Sequence, residues 1–424
     1  MRVLIVSPYF PPLLSVGSLR AWSFAAGFAR AGHEVHVLTT SKRSDQNGLK
    51  IANESVQVHE VAARGRPLLD HVRKSNARPA DEHTPGDGSS KGFLRSMKER
   101  TGVFSSVRMP DMTDAWVRPG AAWASEHGPW DLVVSSSGPY TAHLVALRIG
   151  GMRGRWIADF RDLWTANHQF HGLYPFTMRE RTLERRILAQ GDAVTTVSEP
   201  LGEHLRDAGA RRVHVIYNGY FEQEPEPISN EPVFADDGLV RLVYTGSIYP
   251  GHQDAGPLFR AIASLGDDAR RVRVVVAGGG GAYWTDRARG AGVASSLDHR
   301  GQVSRPEALR LQRDSDALVA IEFVGSSDGV LSGKIFEYLS ARAPIMVLGT
   351  PGCVGELVEQ TGRGRRVSDE VSIARMLRGL LAGADAGLLR DDDLIGRYSR
   401  EHQAERMVGV GEHLAGVSAQ TRCL

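Results

Sequence analysis

RVLIVSPYFPP (residues 2–12), SLRAWSFAAGFARAG (18–32) and HEVHVLTT (33–40) decide how the chain is read. The first and third hold short apolar, β-branched runs of strand length, and the middle stretch repeats its apolar residues at helical spacing. A parallel neighbour needs a crossover between strands, and a helix supplies it. The unit recurs. DLVVSSS (131–137), RWIADF (155–160), AVTTVS (193–198) and VHVIYNG (213–219) continue the series. LVRLVYTG (239–246), RVRVVVAGGGG (271–281), LDHRGQV (297–303), ALVAIEF (317–323) and PIMVLG (344–349) begin it again. The expectation is an α/β protein of two Rossmann-like, doubly wound domains. A length of 424 residues suits that count, being too long for one ordinary core.

The breaks fall between these series. Periodicity fades over 41–112, where RPADEHTPGDGSSKG (78–92) has the composition of a mobile insertion. EQEPEPISNEPVFADDG (222–238) is acidic and Pro-rich, as an extended surface linker would be. The expected domains are therefore 1–222 and 239–394. The segment 395–424 follows, with one long amphipathic helix (395–417) packing back on the first domain.

Hydrophobic content of 42% and charged content of 24% belong to a soluble globular chain, and a cytoplasmic location is expected. Two cysteines, Cys353 and Cys423, leave no disulfide framework and no Cys-rich zinc site. A net charge of +2 gives no reason to expect a nucleic-acid partner. KGFLRSMKERTGVFSSVR (91–108) is basic with interspersed apolar residues, which reads either as a peripheral membrane contact or as a solvated lid. The sequence carries no signal for oligomeric state.

Ligands of open α/β sheets bind beyond the carboxyl ends of the strands, so the loops after residues 7, 137, 160, 246, 281, 303 and 323 are where chemistry is sought. SVGS (15–18), TGS (245–247) and AGGGG (277–281) are small enough for backbone to approach a phosphate, or simply for tight turns. Neither a dinucleotide fingerprint nor a P-loop occurs. SGKIFEYL (332–339) says most. Ser332 is placed to cap a helix, and Lys334 and Glu337 lie one turn apart on one face beside orphan N–H groups. One reading is an ordinary helix start, with Lys334 solvated and Glu337 paired to an arginine such as Arg342. The other has Lys334 and the N–H groups holding a diphosphate while Glu337 accepts from two vicinal hydroxyls.

GVLSGKIFEYLSARAPIMVLG (329–349) joins YFPP (9–12), GHEVHVLTT (32–40), DFRDLW (159–164), AVTTVSEPL (193–201), VIYNGY (215–220), VYTGSIY (243–249) and YSREHQAERM (398–407). In that order and spacing they resemble the retaining, nucleotide-sugar-dependent glycosyltransferases of family 4. The resemblance implies the GT-B architecture, with two Rossmann-like domains facing across a cleft and a C-terminal helix crossing back. It also implies an acceptor mainly on the first domain, a donor mainly on the second, and no metal or resident cofactor. Glu337 then matches the ribose-binding glutamate. Val330, Leu331 and Ser332 would approach the sugar or diphosphate, Gly246 and Ser247 would face the phosphates, and the segment His299 to Val303 would flank the base. Gly17 matches the N-terminal glycine near the sugar diphosphate. Arg161 stands where many relatives carry a histidine that contacts the donor sugar.

Two departures stand out. The first acid of the family's E-x7-E pattern falls on Gly329, and the basic pair that usually follows the TG strand is replaced by SIYPGHQDAG (247–256). Lys334, together with Arg161, is therefore expected to supply the positive charge. On the acceptor side, Asp159 and Asp162 could orient a hydroxyl or amine, or instead hold Arg161 and cap a helix. Asp111, His143, Trp164 and His168 complete the acceptor candidates, with packed roles as the alternative for His143 and for most tryptophans, Trp116 and Trp123 included. His33 is expected to be structural. The partners implied are a nucleotide-sugar donor and a small-molecule or glycan acceptor. A nucleotide-sugar 2-epimerase and a catalytically silent binding or activating partner share the architecture.

Overall fold

The computed structural model describes residues 1–13, 15–42, 55–63, 100–167, 170–323, 329, 331–383 and 390–417. The chain divides into two compact units, one of Met1–Tyr217 with Gln403–Leu424, the other of Asn218–His402.

Unit one is built on seven parallel strands: β1 (Arg2–Val6), β2 (Glu34–Thr40), β3 (Gln57–Val61), β4 (Trp130–Ser137), β5 (Arg153–Phe160), β6 (Ala193–Thr196) and β7 (Val213–Val215). Their order is β3-β2-β1-β4-β5-β6-β7. Helices α1 (Val16–Arg30), α2 (Val117–Glu126), α3 (Thr141–Arg148), α4 (Phe176–Gln190) and α5 (Glu199–Asp207) join them. β1 sits in the middle, in register with β2 (Ile5 opposite Val37) and β4 (Ile5 opposite Val134). From Val3 to Val6 it is buried on both faces and apolar, as central parallel strands are. Val3 and Ile5 pack with Phe24 and Phe28 of α1, whereas Leu4 and Val6 meet Trp116 and Trp156 on the other face.

Unit two repeats the plan with β8 (Val240–Thr245), β9 (Val272–Ala277), β10 (Leu297–Gly301), β11 (Ala317–Ile321), β12 (Ile345–Leu348) and β13 (Gly364–Val367), ordered β10-β9-β8-β11-β12-β13. Its helices are α6 (Gly256–Ala263), α7 (Gly281–Gly290), α8 (Arg305–Arg313), α9 (Gly333–Ser340), α10 (Cys353–Gln360), α11 (Glu370–Leu381) and α12 (Asp392–Gly396). In both sheets the strand order reverses beside the first strand, which creates the crevice where such folds bind ligands.

Three expectations are corrected. The faded region 41–112 contains the edge strand β3, paired in parallel with β2 from His36 to Thr40; most of the proposed insertion, including 78–92, lies outside the described residues. The segment 222–238 is tied into unit two, since Arg305 grips Glu224 and the Val233 N–H donates to Asp314 at 2.9 Å. The single helix expected over 395–417 is two, α12 and α13 (Arg400–Ala415). Between them Tyr398 O accepts from the Tyr220 N–H at 3.2 Å and the Arg400 N–H donates to Tyr220 O at 2.7 Å. Backbone spent on that pairing cannot continue a helix. α13 itself belongs to unit one, where Met407, Val408 and Leu414 join the core around Phe28.

Candidate functional site

In unit two the carboxyl end of β8 is held by α9. Tyr338 Oη accepts the Thr245 N–H at 2.8 Å, which fixes the first turn of α9 beside Gly246. Gly246 has φ +98, and a Cβ there would lie 3.7 Å from Lys334 Nζ. Gly278 crosses so closely that a Cβ on it would meet Gly246 O at 2.0 Å. These two glycines let β8 and β9 end in a tight pair of turns whose outer surface, at Gly246 and Ser247, is exposed.

Lys334 is the centre of this surface. Its Nζ lies 3.8 Å from the Tyr244 ring centroid, and the residue is half-buried. Desolvation alone pushes its ammonium down to about 7. Ser332 occupies the N-cap position of α9, yet its side chain makes no capping bond; the Ile335 N–H turns back to Ser332 O at 3.1 Å, and the N–H groups of Gly333 and Lys334 have no partner among the described residues. A cation with no anionic partner among the described residues, beside a helix N-terminus without a side-chain cap, is an arrangement for binding phosphate.

Glu337, one turn on, is paired through Oε1 to Arg305, whose other nitrogen holds both oxygens of Glu224 at 2.8 and 3.0 Å. The partner is Arg305, not Arg342. Glu337 Oε2 accepts no hydrogen bond among the described residues. Leu331 is buried and Val303 half-buried beyond β10, while Val330 lies outside the described residues. Gly329 has φ +66, a conformation that disfavours the glutamate relatives carry there.

In unit one, Gly17 and Arg161 come together. Ser15 caps α1 through the Ser18 N–H at 3.0 Å, so Gly17 lies in a helical first turn rather than in a loop. A Cβ on Gly17 would stand 2.7 Å from the Arg161 guanidinium carbon. That guanidinium donates to Ser137 O at 2.5 Å and to Gly138 O at 2.8 Å. Asp162 beside it is exposed and caps no helix, since 161–167 runs as bends and turns.

The remaining acceptor candidates are internal. Asp159 is fully buried, bound by Arg20 at 2.7 and 2.9 Å, by Ser136 and by Thr195, with its carboxyl below the usual range because Arg20 and those donors outweigh burial. Its oxygens are occupied, and its partner is Arg20 rather than Arg161. His143 has no exposed surface; its Nδ1 bonds Ser135 Oγ at 2.8 Å and burial pushes it down to about 3. Asp111 caps a 3₁₀ turn at Met112–Trp116 in a capping box with Asp114. Trp164 is 4% exposed and stacked on Tyr140 at 4.8 Å, which leaves no free face for a sugar ring. These four are corrected to packing and capping roles; His168 lies outside the described residues. Arg108, at the end of the basic stretch 91–108, is buried against Glu180 at 3.2 Å and so offers nothing to a membrane; residues 91–99 lie outside the described residues. His33 is structural, between Met1 N and Glu412.

Residues that sequence reasoning passed over are Tyr244, Arg305 and Glu224. Tyr244 reads as one more apolar strand residue, and Arg305 and Glu224 sit 81 positions apart. The only local signal was Ser304, whose Oγ caps α8 through the Glu307 N–H at 3.3 Å and so places Arg305 at the helix start.

Residues 18–219 match a glycosyl transferase 4-like domain. No curated protein sequence matches the chain. Among solved structures, sucrose-phosphate synthase from Thermosynechococcus elongatus is similar over 98% of this chain and 99% of its own, at 13% identity and a TM-score of 0.64. The apo lipopolysaccharide outer core galactosyltransferase WaaB covers 96% and 98%, at 12% identity and 0.57. A Listeria monocytogenes protein described as a UDP-N-acetylglucosamine 2-epimerase covers 98% and 97%, at 10% identity and 0.51. The chain thus has the GT-B fold, and its residues 18–219 are similar to a glycosyl transferase 4-like domain. No helix among the described residues is long and apolar enough to cross a membrane.

Proposed function

We propose that this GT-B protein is a retaining glycosyltransferase that moves a sugar from a nucleoside-diphosphate donor to a hydroxyl or amine of a small-molecule or glycan acceptor. The observation that carries the reading is the desolvated Lys334, without an ion-pair partner among the described residues, at the start of α9 where Ser332 makes no side-chain cap. In this assignment Lys334, Gly246, Ser247 and the α9 N–H groups hold the diphosphate. Glu337, steadied by Arg305, presents Oε2 to the ribose hydroxyls. Leu331 and Ser332 contact sugar or phosphate, and Val303 borders the base. Arg161, set by Gly17, is the cation of the first domain, and Asp162 is its exposed carboxylate for orienting an acceptor. The nucleotide sugar enters as substrate, with no resident metal or cofactor required.

The chemistry follows from charge. As the bond from the anomeric carbon to the diphosphate oxygen breaks, its electron pair goes to that oxygen, and fixed cations and N–H dipoles stabilise the charge that develops. The acceptor oxygen or nitrogen forms the new bond on the face the diphosphate leaves, and its proton passes to the departing phosphate. Configuration is retained without a covalent sugar–enzyme intermediate.

Thermal denaturation with a panel of nucleoside diphosphates tests the donor site: a ligand at about a hundred times its Kd adds ~2.7 kcal/mol of stability. The stabilisation is expected in the wild type and absent in Lys334→Ala; equal stabilisation of both would defeat the assignment. The fold shared with the Listeria protein keeps a second reading in play, that of a nucleotide-sugar epimerase. Donor incubated without acceptor decides between them, since only an epimerase isomerises it. Nucleotide binding with no turnover of any donor would point to the silent partner.

A further inference from the structure

The edge strand β7, the end of α5 and the outer face of α13 line a cavity in unit one, of about 600 Å³. Six basic side chains line it: Arg206, Arg211, Arg212, His214, Arg406 and His413. No carboxylate does among the described residues. Arg206 reaches Glu199 only at 3.7 Å, in an exposed pair, and Arg211, Arg212 and Arg406 form no ion pair among the described residues. The cavity's positive field is visible in His214, which is pushed down by burial and then by Arg406, His413, Arg206 and Arg212.

The floor is different in kind. Ile216 is 1% and Leu414 8% exposed, and Val213 and Val410 adjoin them. At the rim Gly409 leaves open space, with no atom within 4 Å of where a Cβ would sit. The cavity runs along β7 from Val213 to Ile216, and none of Gly17, Arg161 and Asp162 lines it, so it is no part of the candidate transfer site. Guanidinium forks are matched to phosphate oxygens. Like charges brought together without an anion repel, and the volume is that of a small-ligand site. From the convergence of unpaired arginines over an apolar floor, we infer that this cavity binds a phosphate group carried on an apolar body, independently of the sugar-transfer reaction.

Two sources could present that group, a phospholipid surface or a soluble phosphate, and one experiment separates them. The full chain and its Arg211→Gln/Arg212→Gln/Arg406→Gln variant are compared in the Lys334→Ala background, so that anion binding at α9 does not contribute. Each is sedimented with phosphatidylcholine vesicles with and without phosphatidylglycerol, and melted with and without inorganic pyrophosphate. Retention on phosphatidylglycerol vesicles, weakened about a hundredfold by loss of the three charges, identifies a lipid source. Stabilisation by pyrophosphate without vesicle binding, again lost in the variant, identifies a soluble one. If neither probe binds, or if both proteins bind alike, the inference fails. Should the triple variant not fold, Arg406→Gln alone and a salt titration take its place, and binding indifferent to added NaCl overturns the assignment.

Discussion

The ammonium of Lys334 lies 3.8 Å from the centre of the Tyr244 ring, and no carboxylate among the described residues pairs with it. Its counter-charge must come from a ligand or be dispensed with by losing a proton. Desolvation has moved the group toward the second course, down to about 7 from the ordinary 10.5.

The sign of the pH dependence follows. Between about 7 and 10.5 the unfolded chain holds a proton on Lys334 that the ligand-free fold lacks, so this residue makes stability rise with pH across that window. A bound diphosphate raises the ammonium's pKa again. Affinity for a nucleoside diphosphate is therefore flat below about pH 7 with respect to this group, and falls above it by up to about tenfold per unit. Titration calorimetry from about pH 6 to 9 measures the slope, and Lys334→Ala removes it.

Arg305 binds Glu337 and Glu224 at once, and its removal leaves two carboxylates facing each other without their cation. Arg305→Ala is expected to weaken nucleotide binding about tenfold, and to narrow the preference for a ribonucleoside over its 2′,3′-dideoxy analogue by a similar factor. A preference unchanged in Arg305→Ala and in Glu337→Gln would separate Glu337 from the ribose.

Arg20 and Asp159 form an ion pair sealed from water, with side chains 1% and 0% exposed. Arg20→Ala strands a buried carboxylate and is expected to cost about 3–5 kcal/mol in denaturant unfolding. Because the Asp159 carboxyl is lowered in the fold, its contribution is complete above the unfolded value near pH 4 and is lost as pH falls toward the folded one. The variant therefore loses less stability than the wild type on acidification.

The contact between Gly17 and Arg161 is tight but on one side flexible. A methyl group on Gly17 lands 2.7 Å from the guanidinium carbon and pushes Arg161 off its two carbonyls, Ser137 O and Gly138 O. Gly17→Ala should change the melting temperature little and lower the transfer rate about a hundredfold, as loss of one stabilising charge does. Arg161→Lys, which lacks the fork, should resemble it.

How far the chain could be read from its letters depends on where each residue's partner lies. The eleven strands expected are all present; the central ones, buried on both faces, announce themselves by composition, whereas the edge strands β7 and β10 were found by their place in the alternation. β3 (QVHEV) and β13 (GRRV) escape, being short edge strands rich in polar residues. Gly17 lies against Arg161 in unit one and Gly246 beside Lys334 in unit two, contacts that no local spacing announces. The acceptor set was legible only in part, since a polar residue after a strand looks the same whether it faces a ligand or the core. Asp159 finds its cation 139 positions away in a helix that reads as apolar, and nothing local to DFRDLW reveals it.

The last helix docks through small residues, which gives a prediction independent of catalysis. A Cβ on Gly411 would stand 2.6 Å from the Leu132 side chain and 3.0 Å from the Phe28 ring, and one on Gly27 would stand 2.8 Å from the Ala404 Cβ. Glycine at an exposed helix position normally costs stability relative to alanine, so Gly→Ala is expected to help where there is room. At these two positions there is none, and the overpacking should outweigh the propensity gain. Gly411→Ala and Gly27→Ala are each expected to destabilise unit one by about 1–3 kcal/mol. Gly396→Ala, at the end of α12 with no atom within 4 Å of its Cβ, is the matched control and should change stability by no more than about 1 kcal/mol. Thermal melts of the three variants read the difference. If the first two melt no lower than the control, the close approach of α13 to α1 and β4 is not what holds it.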